Sequence, residues 1–330
     1  MIMENNVEKL INNNCFVLEP VYKLTDKILA SKSDKIILTG GRKVGKSTVL
    51  NRLEHRGISK DNKTINMQFD LSLILNQDRN PNYDYAFIEH YYELVISFNL
   101  LNYIKKNYPL VFARFEKEQS ILSEIANYTD NFINNSWFEE VRLDKTLKWG
   151  EQSKDIIEKM KSLLHINKLN IAIDHFDWIN QSDIFTQELL SSYEKLFDKM
   201  IITVDDNKIN KRLLKNKLIK NGYEILNVNY SNDLDVVKRI IKKRSRYYII
   251  KNYYRYNIID LISDNIYEYL IDSCHGNIEM MLSAVFDIIQ LTDWLETTDN
   301  FDVLFINSIN EVVKKEKEYQ KIYTKPKFHL

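Results

Sequence analysis

The sequence predicts an α/β fold in which a parallel β-sheet lies between two layers of helices, and two observations support this prediction. Short apolar runs recur over the first 230 residues, and stretches with helical spacing separate them. Strands that alternate with helices are typical of a parallel sheet covered on both faces. The hydrophobic fraction of 44% in 330 residues is sufficient for a large packed core.

Five predicted strands can be placed in order along the chain. They comprise residues 35–39, 63–72, 169–179 (where the apolar run closes at Asp174), 200–206 and 223–229. Residues 83–164 show mostly helical spacing and predict a helical insertion. From residue 231 onward the pattern is helical. We therefore divide the chain into a domain at 1–230, a small helical domain at 231–293 and a charged tail at 294–330.

Composition limits the kind of protein this is. Lys plus Arg and Asp plus Glu both total 46, so the net charge gives no general attraction to nucleic acid or to anionic membranes. Two cysteines, Cys15 and Cys274, are too few for a disulfide framework, which favours a reducing, cytoplasmic setting. No signal-peptide pattern and no 18-residue apolar run is present, so we expect no membrane association.

Three of the seven glycines lie within residues 40–45, a segment that we call the glycine loop. Gly40, Gly45, Lys46 and Ser47 match G-x-x-x-x-G-K-[ST], between a predicted strand and a predicted helix. Glycine suits such a loop because a Cβ would obstruct backbone N–H groups that wrap a phosphate. The alternative is an ordinary β-to-α turn that contains a chance lysine.

The phosphate-binding interpretation assigns a role to each position of the match. Lys46 would reach the β- and γ-phosphate oxygens of ATP, and the Ser47 hydroxyl would ligate Mg²⁺. The residues expected to bind ATP are Gly40, Gly41, Arg42, Lys43, Val44, Gly45, Lys46, Ser47 and Thr48.

Asp174 ends an apolar run and is the predicted second ligand of the Mg²⁺ site. Its alternative role is that of an ordinary strand-ending aspartate that caps the next helix. His175 follows it and could position or deprotonate water near neutral pH. Asp177 is a further candidate for polarising water, or else a solvated loop acid.

The stretch "GGRKVGKSTVL" resembles the G-x-R-x-V-G-K-[ST]-x-L-L form of the P-loop in the origin-recognition and STAND branches of the AAA+-related ATPases. The resemblance extends in order over residues 16–290. It implies a P-loop NTPase sheet, with residues 16–28 against the adenine. Thr203 and Asp205 would form a sensor of the γ-phosphate, and residues 231–293 would form a helical lid.

Two departures from that family pattern concern catalysis. His175 stands where many members carry a catalytic glutamate, and Glu279 stands where many carry a sensor arginine in the lid. The resemblance therefore implies ATP binding with slow hydrolysis, or binding without turnover.

Residues 236–256 hold the densest positive charge, with eight Lys or Arg, five Tyr and no acid. Such a segment could contact DNA phosphates, with the tyrosine rings against bases. It also fits an amphipathic lid helix with Val237, Ile240, Ile241 and Tyr248 in the core. In a homo-oligomer, Arg239, Arg244 or Arg246 could instead serve as an arginine finger in a neighbouring subunit.

Three functions remain open from the sequence. The first is an ATP-dependent switch that loads or positions a partner protein on DNA in replication or transposition. The second is a STAND-like signalling or defence ATPase that acts through protein partners without DNA. The third is a degenerate ATPase that serves as a subunit of a larger complex.

Overall fold

The computed structural model describes residues 17–55, 64–70, 103–110, 112–113, 149–174, 176, 194–206, 219–252, 258–292 and 301–324. The strands are β1 (Lys35–Gly40), β2 (Thr64–Asp70), β3 (Lys168–Asp174), β4 (Lys199–Asp205) and β5 (Glu224–Asn227). The helices are α1 (Leu18–Ala30), α2 (Lys46–His55), α3 (Trp149–Leu164), α4 (Leu234–Asn252), α5 (Asp264–Cys274), α6 (Ile278–Thr292) and α7 (Phe301–Thr324).

The five strands form one parallel sheet in the order β2-β3-β4-β1-β5, which confirms the predicted parallel α/β fold. All five predicted strands are present, with ends that differ by a few residues. β1 lies between β4 and β5 and is buried, with Ile36, Ile37 and Leu38 fully inaccessible to solvent. Continuous apolar runs of this kind are expected where both faces of a parallel sheet are covered.

Helices α1 and α2 cover one face of the sheet. Val21 and Ile28 of α1 and Val49, Leu50 and Leu53 of α2 belong to the same buried cluster as inward-facing residues of β1, β3, β4 and β5. This packing places the N-terminus of α2 at the carboxyl edge of β1, since only five residues separate the two elements.

The predicted insertion at 83–164 lies mostly outside the described residues. Its described parts are helical residues within 103–113 and helix α3, which runs directly into β3. Ile157 and Met160 of α3 are buried, and the helix packs against β3. At least this end of the interval is therefore part of the α/β layer structure.

Helices α4 to α7 form what we call the C-terminal helical cluster, with a shared core that includes Val237, Tyr267, Leu270, Leu282 and Phe305. No helix in the described part of the chain is long and apolar enough to cross a membrane.

Helix α7 lies within the segment 294–330, which we expected to be a charged tail. Phe305, Ile309 and Val312 recur at helical spacing and are buried against α5 and α6. The Ser308 hydroxyl also donates a hydrogen bond of 3.0 Å to the Ala284 carbonyl. The numerous charges of this segment obscured its apolar stripe, which becomes a packing surface only when the other helices are in place.

Candidate functional site

The glycine loop follows β1 directly, and its backbone requires glycine at both ends. Gly40 has a φ of +153° and Gly45 a φ of +102°, values that side chains disfavour. A Cβ on Gly40 would lie 2.8 Å from the carbonyl oxygen of Val228. The segment after β5 therefore packs against the start of the loop, and the Val228 amide donates a 2.8 Å hydrogen bond to the Thr39 carbonyl.

Tyr230 packs against the other end of the loop. Its hydroxyl lies 3.3 Å from the Gly45 carbonyl oxygen, to which it donates a hydrogen bond. A Cβ on Gly45 would lie 1.8 Å from that hydroxyl, so no other residue fits at position 45 without a shift. Burial raises the pKa of the Tyr230 phenol, although the positive charge of Arg244 acts in the opposite direction. The phenol therefore remains a donor at neutral pH.

Lys46 is the first residue of α2, and its side chain turns back into the loop. Its Nζ donates hydrogen bonds of 2.7 Å to the carbonyl oxygens of both Gly40 and Gly41. Ser47 and Thr48 occupy the next two positions and are half-buried. The ammonium group and the N-terminus of α2 thus concentrate positive charge at the loop.

Asp174 is the last residue of β3, as predicted, and it is only 2% exposed. Its Oδ1 accepts a hydrogen bond of 2.6 Å from the Thr203 hydroxyl on the neighbouring strand β4, and Thr203 is also buried. A short bond of this kind to a carboxylate orients the side chain. The structure thereby joins Asp174, the predicted Mg²⁺ ligand, to Thr203, which the resemblance assigns to a sensor of the γ-phosphate.

The strand order brings the glycine loop and the Asp174–Thr203 pair to the carboxyl edge of the sheet. β4 separates β3 from β1, and Asp205 at the end of β4 is in register with Gly40. Ile173 is in register with Ile202 and Leu38 with Thr203, so Asp174 lies two strands across from β1 and two residues before Gly40. These offsets put the end of β3 roughly 12 Å from the start of the glycine loop. The carboxyl edge of a parallel sheet is also where α/β proteins place their ligands. His175 and Asp177 lie outside the described residues.

The arrangement fits a phosphate ligand with a hydrated Mg²⁺ ion. Gly40 and Gly45 hold backbone angles that other residues disfavour, and Lys46 supplies a cation inside the loop. Mg²⁺ bound with a nucleotide needs one or two protein oxygen ligands, because phosphates and water supply the others. Ser47 beside the loop and Asp174 at the same edge are donors of the required type.

Tyr230, whose hydroxyl contacts Gly45, also lines a cleft of about 510 Å³. Within it, Glu19 forms ion pairs of 2.8 Å with both Arg239 and Lys23. Hydrogen bonds from Arg239 and Lys23 lower the pKa of the Glu19 carboxyl to about 2. The lining residues are Glu19, Pro20, Lys23, Asn229, Tyr230, Asn232, Asp233, Asp235, Val236 and Arg239.

The C-terminal helical cluster contacts the glycine loop directly. The amide of Ile278, at the start of α6, donates a 3.4 Å hydrogen bond to the carbonyl of Lys43. Ion pairs of 3.1 Å join Lys43 to Glu279 and Arg42 to Glu316. Glu279, which stands where the resemblance led us to expect a sensor arginine, thus lies beside the loop and pairs with one of its cations.

Four of the eight cations of the predicted basic stretch form ion pairs with carboxylates of the described residues. The pairs are Lys238–Asp264 (2.7 Å), Arg239–Glu19 (2.8 Å), Lys242–Asp260 (3.7 Å) and Arg246–Asp260 (3.4 Å). The predicted inward residues Val237, Ile240 and Ile241 are buried on α4. Residues 253–256 lie outside the described chain. The amphipathic-helix interpretation therefore describes α4 well.

Sequence reasoning missed three residues of this region: Tyr230, Glu19 and Glu316. A tyrosine that follows a strand, or a glutamate within a charged helix, carries no local signal for contact with a loop far away in sequence. Only Glu19 could have been suspected from the sequence, because it lies in the segment expected to face an adenine.

Neither a scan against protein-family models nor a search of curated proteins finds a match to the chain.

Proposed function

We propose that the protein binds ATP with Mg²⁺ at the glycine loop. The observation that carries the proposal is the placement, at one edge of the sheet, of a positively charged glycine loop and the buried Asp174–Thr203 pair. A chance glycine turn would not require a buried, hydrogen-bonded carboxylate two strands away. The resemblance of the loop sequence to AAA+-related P-loops supports the same conclusion.

Each residue of the proposed site has a role in binding ATP or Mg²⁺ that follows from its position. Lys46 and the N-terminal amides of α2 hold phosphate oxygens, and the glycines allow the backbone to approach them. Ser47 and Asp174 hold Mg²⁺, which neutralises phosphate charge when it is bound. Thr203 keeps the Asp174 carboxylate in a single orientation through their hydrogen bond.

The cleft beside Tyr230 suits the nucleoside of ATP. Tyr230, which contacts Gly45 of the loop, lines this cleft, and one wall comes from α1, the segment expected to face the adenine. The polar side chains around it, including Asn229 and Asn232, can hydrogen-bond the edge of a base.

We infer that the protein acts as a nucleotide-controlled switch, which works through the binding of ATP and hydrolyses it slowly. His175 in place of the family's glutamate lacks a permanent negative charge for polarising water. The contacts of α6 and α7 with the loop provide a route from nucleotide to the C-terminal helical cluster.

Of the two switch hypotheses, the ion pairs on α4 favour a protein partner over DNA. Carboxylates beside four of these cations offset the positive charge that a phosphate backbone would meet. DNA loading remains the second candidate, because residues 236–256 still carry the highest density of cations in the chain.

Calorimetric titration of the wild type with Mg-ATP tests the proposal. Lys46→Ala should abolish measurable binding, since the ammonium contacts phosphates and is not part of the core. Lys32→Ala, an exposed lysine before β1, provides the matched control and should bind as the wild type does. Undiminished affinity in a folded Lys46→Ala variant would refute the assignment.

A further inference from the structure

Two cations of the glycine loop are held by carboxylates of the C-terminal helical cluster. Arg42 Nη1 lies 3.1 Å from Glu316 Oε1 of α7, and Lys43 Nζ lies 3.1 Å from Glu279 Oε2 of α6. Neither cation belongs to the G-x-x-x-x-G-K-[ST] positions themselves. The contacts join residues more than 230 positions apart in sequence.

Both carboxylates are placed by the structure of their helices. Glu279 lies in the first turn of α6, where the helix dipole favours a negative side chain. Glu316 follows Ile309 and Val312 at spacings of seven and four residues, so it continues the buried side of α7 toward the loop. Its side chain is 27% exposed, against 61% for Arg42.

The backbone on both sides of these ion pairs is also in contact. Lys43 has a φ of +61°, in the left-handed region, and its carbonyl accepts the hydrogen bond of the Ile278 amide. The turn before α6 is packed closely, because a Cβ on Gly276 would lie 2.4 Å from Asn232 Oδ1. The start of α6 is therefore fixed to the loop and to the segment after β5.

We propose that Glu279 and Glu316 form a latch that holds the C-terminal helical cluster on the glycine loop and that bound triphosphate releases. This inference rests on the proposed ATP site. A polyanion in the loop attracts Arg42 and Lys43 and repels both glutamates, so nucleotide and latch compete for the same two cations. Competition of this kind couples ATP affinity to helix position in both directions.

The affinity of ATP for latch variants tests the competition. Glu279→Gln and Glu316→Gln keep the side-chain shape but remove the charge, so each should tighten ATP binding. An exposed ion pair of this kind corresponds to roughly a two- to fivefold change in the dissociation constant. Glu318→Gln is the matched control, because it removes one exposed charge from the same helix and should leave affinity unchanged.

Hydrogen exchange provides a readout of the release itself. ATP should accelerate exchange of backbone amides at the start of α6, where Ile278 donates to Lys43. In the Glu279→Gln/Glu316→Gln double variant, exchange there should already be fast without nucleotide, and ATP should add little. A cluster that moved independently of the latch would show the same exchange in wild type and double variant.

The outcomes separate the latch from the ATP site. If the wild type binds ATP and the latch variants bind with the same affinity, or if Glu318→Gln tightens binding equally, the latch is refuted while the ATP site stands. If the wild type does not bind ATP but the double variant does, the latch is supported. If neither binds, both proposals fail.

Discussion

The hydroxyl of Tyr230 donates a hydrogen bond to the carbonyl oxygen of Gly45, at 3.3 Å, across 185 positions of sequence. The contact joins the segment after β5 to the residue that precedes α2. It leaves no space for a side chain at position 45. The conformation of the glycine loop therefore depends on a residue outside the loop.

We expect Gly45→Ala to destabilise the protein more than a glycine substitution elsewhere with similar backbone strain. A positive φ at a residue other than glycine costs roughly 1–3 kcal/mol, and the Tyr230 hydroxyl adds a steric clash. Gly222→Ala is the control, since its φ is +85° but no atom lies within 4 Å of the added Cβ. Urea unfolding should show the larger loss at position 45, part of it recovered by Tyr230→Phe. Equal losses at both positions would show that the contact is unimportant.

Asp174→Asn should weaken Mg²⁺-dependent ATP binding or turnover more than His175→Ala does. The reason is that the carboxylate supplies the negative charge for the metal, whereas the histidine lacks the fixed charge of a catalytic glutamate. Titration of ATP binding and turnover against Mg²⁺ concentration would measure both effects. Rapid wild-type turnover that depends entirely on His175 would reverse this ranking.

Phe305→Ala should destabilise the C-terminal helical cluster by about 3–5 kcal/mol, because the ring near the start of α7 is fully buried in the core of the cluster. Val303→Ala, on the same helix but 53% exposed, should change the free energy of unfolding by less than about 0.5 kcal/mol. Chemical denaturation followed by circular dichroism checks both. If Phe305→Ala changed the free energy of unfolding as little as Val303→Ala, α7 would behave as a solvated tail.

The ion pairs of Glu19 should make a pH-dependent contribution to stability. Because the folded-state pKa is lowered from 4.5 to about 2, the contribution is complete above pH 4.5. It declines as the pH falls from about 4.5 and is lost as the pH falls through about 2, below which the carboxyl is protonated in both folded and unfolded states. The melting temperature of Glu19→Gln should therefore lie below that of the wild type at pH 7, and the difference should close near pH 2. A difference that is constant over this range would contradict the assignment.

Replacement of Lys242, Lys243 and Arg244 by Gln tests DNA contact by α4. If all three contacted duplex phosphates, the slope of log affinity against log salt would fall by about 0.9 for each lost contact. Because we propose a protein partner and Lys242 already pairs with Asp260, we expect slopes that match those of the wild type. Filter binding at several salt concentrations decides between these outcomes, and a reduced slope would restore the DNA-loading hypothesis.

The five strands and the position of the glycine loop were predictable from the sequence because they depend on local chemistry. Apolar runs such as 169–173 can only be strands or helices with buried faces, and glycines at 40 and 45 permit backbone angles that other residues resist. Asp174 was predictable for the same reason, because it is the first charged residue after a buried apolar segment. These features need no knowledge of what lies across the fold.

Tertiary structure decided which distant groups meet. The strand order placed Thr203 against Asp174, and the burial of α7 brought Glu316 to Arg42. A polar side chain carries no local signal for its partner, and the charges of α7 hid its apolar stripe until α5 and α6 supplied a surface. The sequence determined the elements and the loop, whereas long-range packing determined the contacts around it, because each contact depends on the position of the whole chain between its two residues.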